Sequence, residues 1–122
     1  MNPYERYVFE VTYDILDQYR EEHDRWLSKT TEQWITTECL DGFRSEQSVM
    51  GASPEVRLRF EFETLTNWAT FVESDQHRRN LDRLEGMTDR FDTNLWEPAA
   101  ILLNPTPADG TPSTPRGLRR DG

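Results

Sequence analysis

Residues 56–84 leave this chain few folds to choose from, because a strand there runs into a helix that changes direction. Val56, Leu58, Phe60 and Phe62 alternate with Arg57, Arg59, Glu61 and Glu63, the period of a half-buried strand. Thr64 to Asn67 predicts a polar turn, after which Trp68, Phe71 and Val72 open a helix at spacings of three and four. At about 100° per residue, that apolar face points nearly opposite to the later one made by His77, Leu81 and Leu84. One straight helix cannot bury both faces against one sheet. Ser74 and Asp75 sit at the phase break and both suit a helix N-cap, so the pattern predicts a short helix, a new cap and a second helix from about Gln76.

The rest of the chain supplies partners for this unit. Tyr7, Phe9, Val11 and Tyr13 alternate with Val8, Glu10 and Thr12 as a first strand. A helix is expected over residues 17–36, with Asp14 or Asp17 as its cap. Its stripe of Tyr19, His23, Trp26, Thr30 and Trp34, with Leu27 beside it, carries polar tips where an ordinary core stripe would be aliphatic. Asp41-Gly42 marks a turn, residues 43–50 a second strand, and Gly51-Ala52-Ser53-Pro54 the loop into the third. Gly86 is a C-cap candidate, and a fourth strand within residues 89–101 holds Leu95 and Trp96. Pro98 places that strand at an edge, a bend or an interruption. Residues 104–122 contain four of the seven prolines, three of the six glycines and a single Leu, too little apolar surface to offset the entropy of ordering. The expected organisation is one folded domain over residues 1–103 and a disordered tail over residues 104–122.

Charge and composition narrow the partners. At 122 residues and 34% hydrophobic, the chain has a modest core for a monomer, which favours a core shared between subunits. A formal charge of −9 opposes both nucleic acid and an anionic membrane surface. Lys29 is the only lysine among 14 basic residues, a bias that, with the acidity, suits a salt-adapted or a high-GC source. Cys39 stands alone, so neither an intrachain disulfide nor a cysteine zinc cluster can form, as expected of a cytoplasmic protein. His23 and His77 are too far apart to form a helical metal pair, and no metal site is expected. A glycine-rich phosphate loop and a Gly-x-Ser-x-Gly elbow are both missing from the sequence.

The element order β-α-β-β-α-β is that of a ferredoxin-like α+β fold, with a four-stranded antiparallel sheet and both helical stretches on one face. With large aromatics on the strands, the uncovered face is expected to be an apolar patch that a second copy would bury, giving a homodimer. The segments GFRSEQSVMG, RLRFEFET and NWATFVESDQHRRNLDRL resemble the dimeric α/β-barrel superfamily, and within it the antibiotic biosynthesis monooxygenase-like domains. The matching features are Gly42-Phe43 leading into the second strand, the aromatic Trp68, and Ser74 to His77. The resemblance spans about residues 7–101.

That resemblance implies a face-to-face dimeric barrel with a pocket between sheet and helices in each subunit. It also implies a cofactor-independent monooxygenase acting on a small aromatic or quinol-type molecule. The haem-degrading branch fits poorly, since Phe71 stands where it has Trp and Leu81 where it has its axial His, so no cofactor is expected. A non-catalytic ligand-binding or stress-related module, or a cyclase or isomerase that uses no oxygen, are alternatives on the same fold. An aromatic-walled cavity with a few polar tips suits a flat aromatic ligand. Its candidate walls are Trp68, Trp26, Tyr19 and Trp34, with Asn67, Tyr13 and Arg79 as candidate partners for substrate oxygens. The bland reading of the tryptophan stripe is simple core filling. His77, in the first turn of a helix whose positive dipole end disfavours an imidazolium, is a candidate general base, and His23 is a second.

Overall fold

The computed structural model describes residues 6–98. The expected tail at 104–122, and the last residues of the expected fourth strand, lie outside them. Strand β1 spans Tyr7–Ile15, followed by a 3-10 turn at Asp17–Tyr19 and helix α1 at Arg20–Ile35. Strands β2 (Gly42–Gln47) and β3 (Val56–Phe62) form a hairpin; helices α2 (Leu65–Glu73) and α3 (Asp75–Glu85) follow, then β4 (Thr88–Trp96). The sheet is antiparallel with order β2-β3-β1-β4, the ferredoxin-like arrangement. Tyr7 pairs with Phe62 and Tyr13 with Val56 along the central β1–β3 ladder, so both strands present their apolar sets to the same side. No helix among the described residues is long and apolar enough to cross a membrane.

Three helices pack on that one side. Phe9, Val11, Tyr13 and Ile15 from β1 and Val56, Leu58, Phe60 and Phe62 from β3 are all buried there. From α1 come His23, Trp26, Thr30 and Trp34, the predicted stripe at helical spacing. Trp34 meets Phe60 edge-on with centroids 4.8 Å apart, and α2 adds Phe71 against both Phe60 (5.3 Å) and Phe62 (5.4 Å). Such aromatic pairs add about 0.5–1.5 kcal/mol each beyond their burial.

The helix break forms where the phase argument puts it, and one hydroxyl makes it. Ser74 is extended (φ −71°, ψ 147°); its Oγ donates to the Phe71 carbonyl (2.7 Å) and accepts from the His77 N–H (3.1 Å). It therefore closes α2 and opens α3 at once. Helix α2 begins earlier than its apolar pattern suggests, at Leu65, because Thr64 Oγ1 captures the Asn67 N–H at 3.0 Å and draws the polar turn into the helix. At the other helix, residues 17–19 form a 3-10 turn rather than the first turn of α1.

The uncovered face of the sheet departs from expectation. Every large aromatic of β1 and β3 turns toward the helices, since alternation sends Val8, Glu10 and Thr12 of β1 and Arg57, Arg59 and Glu61 of β3 the other way. What covers that face is a lattice of ion pairs: Arg6–Glu61 at 2.8 Å, Arg57–Glu46 at 2.7 Å, Arg57–Glu10 at 3.8 Å and Arg44–Glu46 at 3.9 Å. Gly42 belongs to it, because a Cβ there would lie 2.8 Å from Glu61 Oε1 and displace the Arg6 pair. Trp96, 53% exposed and paired with Val8, is the large apolar side chain of that face. The apolar patch inferred from the strand composition is thus a charged surface.

Losing the Ser74 hydroxyl unties both helix ends. Ser74→Ala should lower stability by about 1–2 kcal/mol, and Ser74→Asn should recover most of it by capping α3. Urea unfolding of the three proteins measures this.

Candidate functional site

His77 reaches the interior because Ser74 restarts the helix at a new angle. Its ring is 4% exposed and lies against Phe71 (centroids 4.7 Å, 49° between planes) and Phe9 (5.9 Å, 64°). Burial among apolar rings strips the charged form of its hydration and lowers the His77 pKa from 6.5 to about 4. The neutrality expected from the helix dipole therefore has desolvation as its cause.

A cleft of about 380 Å³ opens beside this ring, between α2 and α3 on one side and β1 and β4 on the other. Phe9, Trp68, Val72 and Leu81 supply its apolar lining, and His77 and Thr93 its polar groups. Arg78, Asp82 and Glu85 of α3 complete it. The volume is within the range of small-molecule sites. Two of its residues carry a buried ring nitrogen that has no hydrogen-bond partner, His77 Nδ1 and Trp68 Nε1. Leaving such a group unpaired costs about 1–3 kcal/mol, which a ligand or water oxygen can recover. Indole only donates, whereas a neutral imidazole nitrogen donates or accepts according to tautomer.

The other candidates lie elsewhere. His23 and Tyr13 are not lining residues of this cleft: both are buried, and the Tyr13 hydroxyl bonds His23 Nε2 at 2.6 Å. Burial, and then the Asp24 and Glu55 charges, hold the Tyr13 pKa well above that of a free tyrosine. Trp26 borders a separate surface groove of about 890 Å³ along α1, with Lys29 and Arg83. That groove is larger than the cleft but flanked mainly by charged side chains, and it contains neither histidine. Trp34 lines a third hollow of about 140 Å³ with Leu40, Asp41 and Phe43, and its own Nε1 is buried and unpaired. Tyr19 packs half-buried against the core from the 3-10 turn. Asn67 is half-buried and Arg79 exposed, and neither lines the cleft.

The residues expected in one pocket share a face of the sheet but lie apart on it, with the aromatic layer around Phe60 between them. Trp68 and His77 come together, while the α1 stripe and Tyr13 belong to the core on the other side of Phe60. Arg78, Asp82, Glu85 and Thr93 were missed. Arg78, Leu81, Asp82 and Glu85 recur at helical spacing, so projecting α3 from Leu81 would have found three of the four. Thr93 needs the β1–β4 register, where it pairs with Val11. Among the described residues, no group of three or more His, Cys, Asp or Glu is placed to hold a metal ion.

No family model and no curated protein sequence matches the chain. Solved structures do. A dabb family protein with a ferredoxin-like fold from Mesorhizobium loti superposes with a TM-score of 0.67 at 12% identity, over 78% of this chain and 98% of that one. A provisionally named antibiotic biosynthesis monooxygenase from Nitrosomonas europaea gives 0.65 at 17% identity, over 84% and 95%. The hydroxynitrile lyase of Passiflora edulis gives 0.69 at 7% identity, over 82% and 99%. Identities this low carry the fold and not the chemistry. The chain accordingly has the ferredoxin-like α+β fold found in dabb proteins and in proteins provisionally named antibiotic biosynthesis monooxygenases.

Proposed function

We propose that this is a cytoplasmic protein that binds a small aromatic or quinol-type molecule in the His77–Trp68 cleft and oxidises it with dioxygen, without a cofactor. One observation carries the reading: His77 and Trp68, which line the same cleft, each hold a buried ring nitrogen without a partner, and a substrate oxygen would satisfy these nitrogens once the rings turn toward it. Trp68 would donate to a carbonyl or phenolate oxygen, and neutral His77 would accept from a hydroxyl. The substrate would supply every electron. A methylene flanked by aromatic rings plus O₂ yields a ketone plus water, with the carbanion or enolate as the species that meets oxygen.

The His77 pKa bears on which substrates can react. Against an imidazolium of pKa about 4, a phenol of pKa about 10 gives up its proton uphill by roughly 8 kcal/mol. His77 is therefore an orienting hydrogen-bond partner first, and a base only toward substrates that are already acidic. The same fact favours a second reading, a non-catalytic binder of aromatic molecules in the same cleft. Oxygen uptake with quinols, anthrones and flavonols separates them. Turnover that falls about 10²-fold in His77→Ala and is weakened in Trp68→Phe supports oxidation. Saturable binding with uptake no faster than buffer supports the binder.

Burial of neutral His77 also predicts an acid-stability signature. Between pH 6.5 and about 4 the unfolded state binds a proton that the folded state does not, so stability falls as pH drops through that window. The loss attributable to His77 should approach about 3 kcal/mol. Denaturant titrations across the window should show that part of the slope missing in His77→Gln.

We also propose a homodimer through the open sheet face. With the charges of that face paired within each protomer, the contact would centre on Trp96 and Val8. Each copy carries −9, so salt screens the repulsion between copies. Light scattering should show monomer giving way to dimer as salt is raised, and a monomeric mass in high-salt buffer would remove the proposal.

A further inference from the structure

Tyr13 and His23 form a second chemical unit outside the cleft. Their 2.6 Å hydrogen bond is sealed from solvent, with Tyr13 wholly buried and His23 1% exposed. The other imidazole nitrogen, Nδ1, lies 3.1 Å from Oδ1 of Asp24, whose side chain is 65% exposed. An ionised carboxylate only accepts, so Nδ1 carries the ring proton and the Tyr13 hydroxyl donates into Nε2. The tyrosine proton is thus already aimed at a base, in a place water does not enter. The His23 ring also neighbours Trp26, with centroids 6.2 Å apart, and Trp26 borders the α1 groove.

A tyrosine gives up an electron readily only if its proton can leave too, because its radical cation is a very strong acid. A base held on the hydroxyl removes that obstacle. We propose that Tyr13, His23 and Asp24 form a one-electron donor site that reduces organic peroxyl radicals arriving in the α1 groove, with Trp26 as the relay.

In that step the electron passes from Tyr13 through Trp26 to the incoming radical, and the Tyr13 O–H proton moves to His23 Nε2. Tyr13 is oxidised to a neutral radical. The incoming peroxyl radical is reduced and takes a proton from water, becoming a hydroperoxide. His23 becomes an imidazolium with Asp24 as its counter-charge, and one hydroxide remains in solution. Burial disfavours a free tyrosinate at this position, so the proton leaves with the electron rather than before it.

Photogenerated tris(bipyridine)ruthenium(III) as the oxidant, with freeze-quenched samples read by electron paramagnetic resonance, tests this on the full chain. The wild type should show a neutral tyrosyl radical. In Tyr13→Phe, with folding verified by circular dichroism, that signal should vanish and a tryptophan radical should replace it. Asp24→Asn keeps an acceptor for Nδ1 on an exposed side chain but removes the charge. Its tyrosyl yield should fall about threefold, the partial effect expected of a solvated counter-charge. An undiminished tyrosyl signal in Tyr13→Phe, a wild-type radical confined to tryptophan, or an Asp24→Asn yield equal to wild type would each overturn the proposal. If Tyr13→Phe does not fold, the yield in Asp24→Asn decides alone.

Discussion

The structure depends on an aromatic layer that forms on one face of the sheet only. Phe60 is its centre, in ring contact with Phe9 of β1, Trp34 of α1, Phe43 of β2 and Phe71 of α2. Five elements therefore meet on one side chain. Strict alternation along β1 and β3 makes this possible, because it sends every large ring inward and leaves Arg and Glu on the opposite face. A chain with 34% hydrophobic residues can build a dense core in this way, by concentrating its rings in a single layer. The ion-paired outer face is the complement of the same pattern.

The cleft is a consequence of how that layer ends. Helices α2 and α3 cannot be collinear and still bury Phe71 and Leu84, so Ser74 interrupts them and α3 sets off with His77 in its first turn. His77 then covers the edge of the aromatic layer, against Phe9 and Phe71, and loses its water. An imidazole so placed gives a neutral, adaptable hydrogen-bonding group at a low pKa, at the cost of strength as a base. The other histidine reached a different end. His23 entered the core with both ring nitrogens paired, and this pairing removes it from the cleft while giving Tyr13 a proton acceptor.

The alternation in β1 and β3, the α1 stripe, the break at Ser74 and the β-α-β-β-α-β order were all legible along the chain, because each is a local periodicity or a capping pattern. Strand ends and the start of α2 were less so. Thr64 captures Asn67 through a contact that apolar spacing does not register. His77 and Trp68 were candidates from position alone, whereas their unpaired nitrogens were not legible, since hydrogen-bond satisfaction depends on every neighbour.

Which large side chains face a cavity and which fill the core was decided by tertiary structure. Trp26, Trp34 and Tyr13 carry polar tips at the right spacing for a pocket wall, but spacing fixes only the face of an element and not what stands opposite it. His23 stands opposite Tyr13, and Phe60 and Phe43 stand opposite Trp34, while the open space that Trp26 and Trp34 do border is separate from the His77 cleft. The outer sheet face followed the same logic. Its composition was readable, but joining β1 and β3 in register was needed to see that their charges gather on one side as ion pairs. The sequence by itself determined the elements, their order and their buried faces, because those are set by short-range periodicity. Only the folded chain decided where space was left between them, because a cavity is what remains after distant side chains have packed.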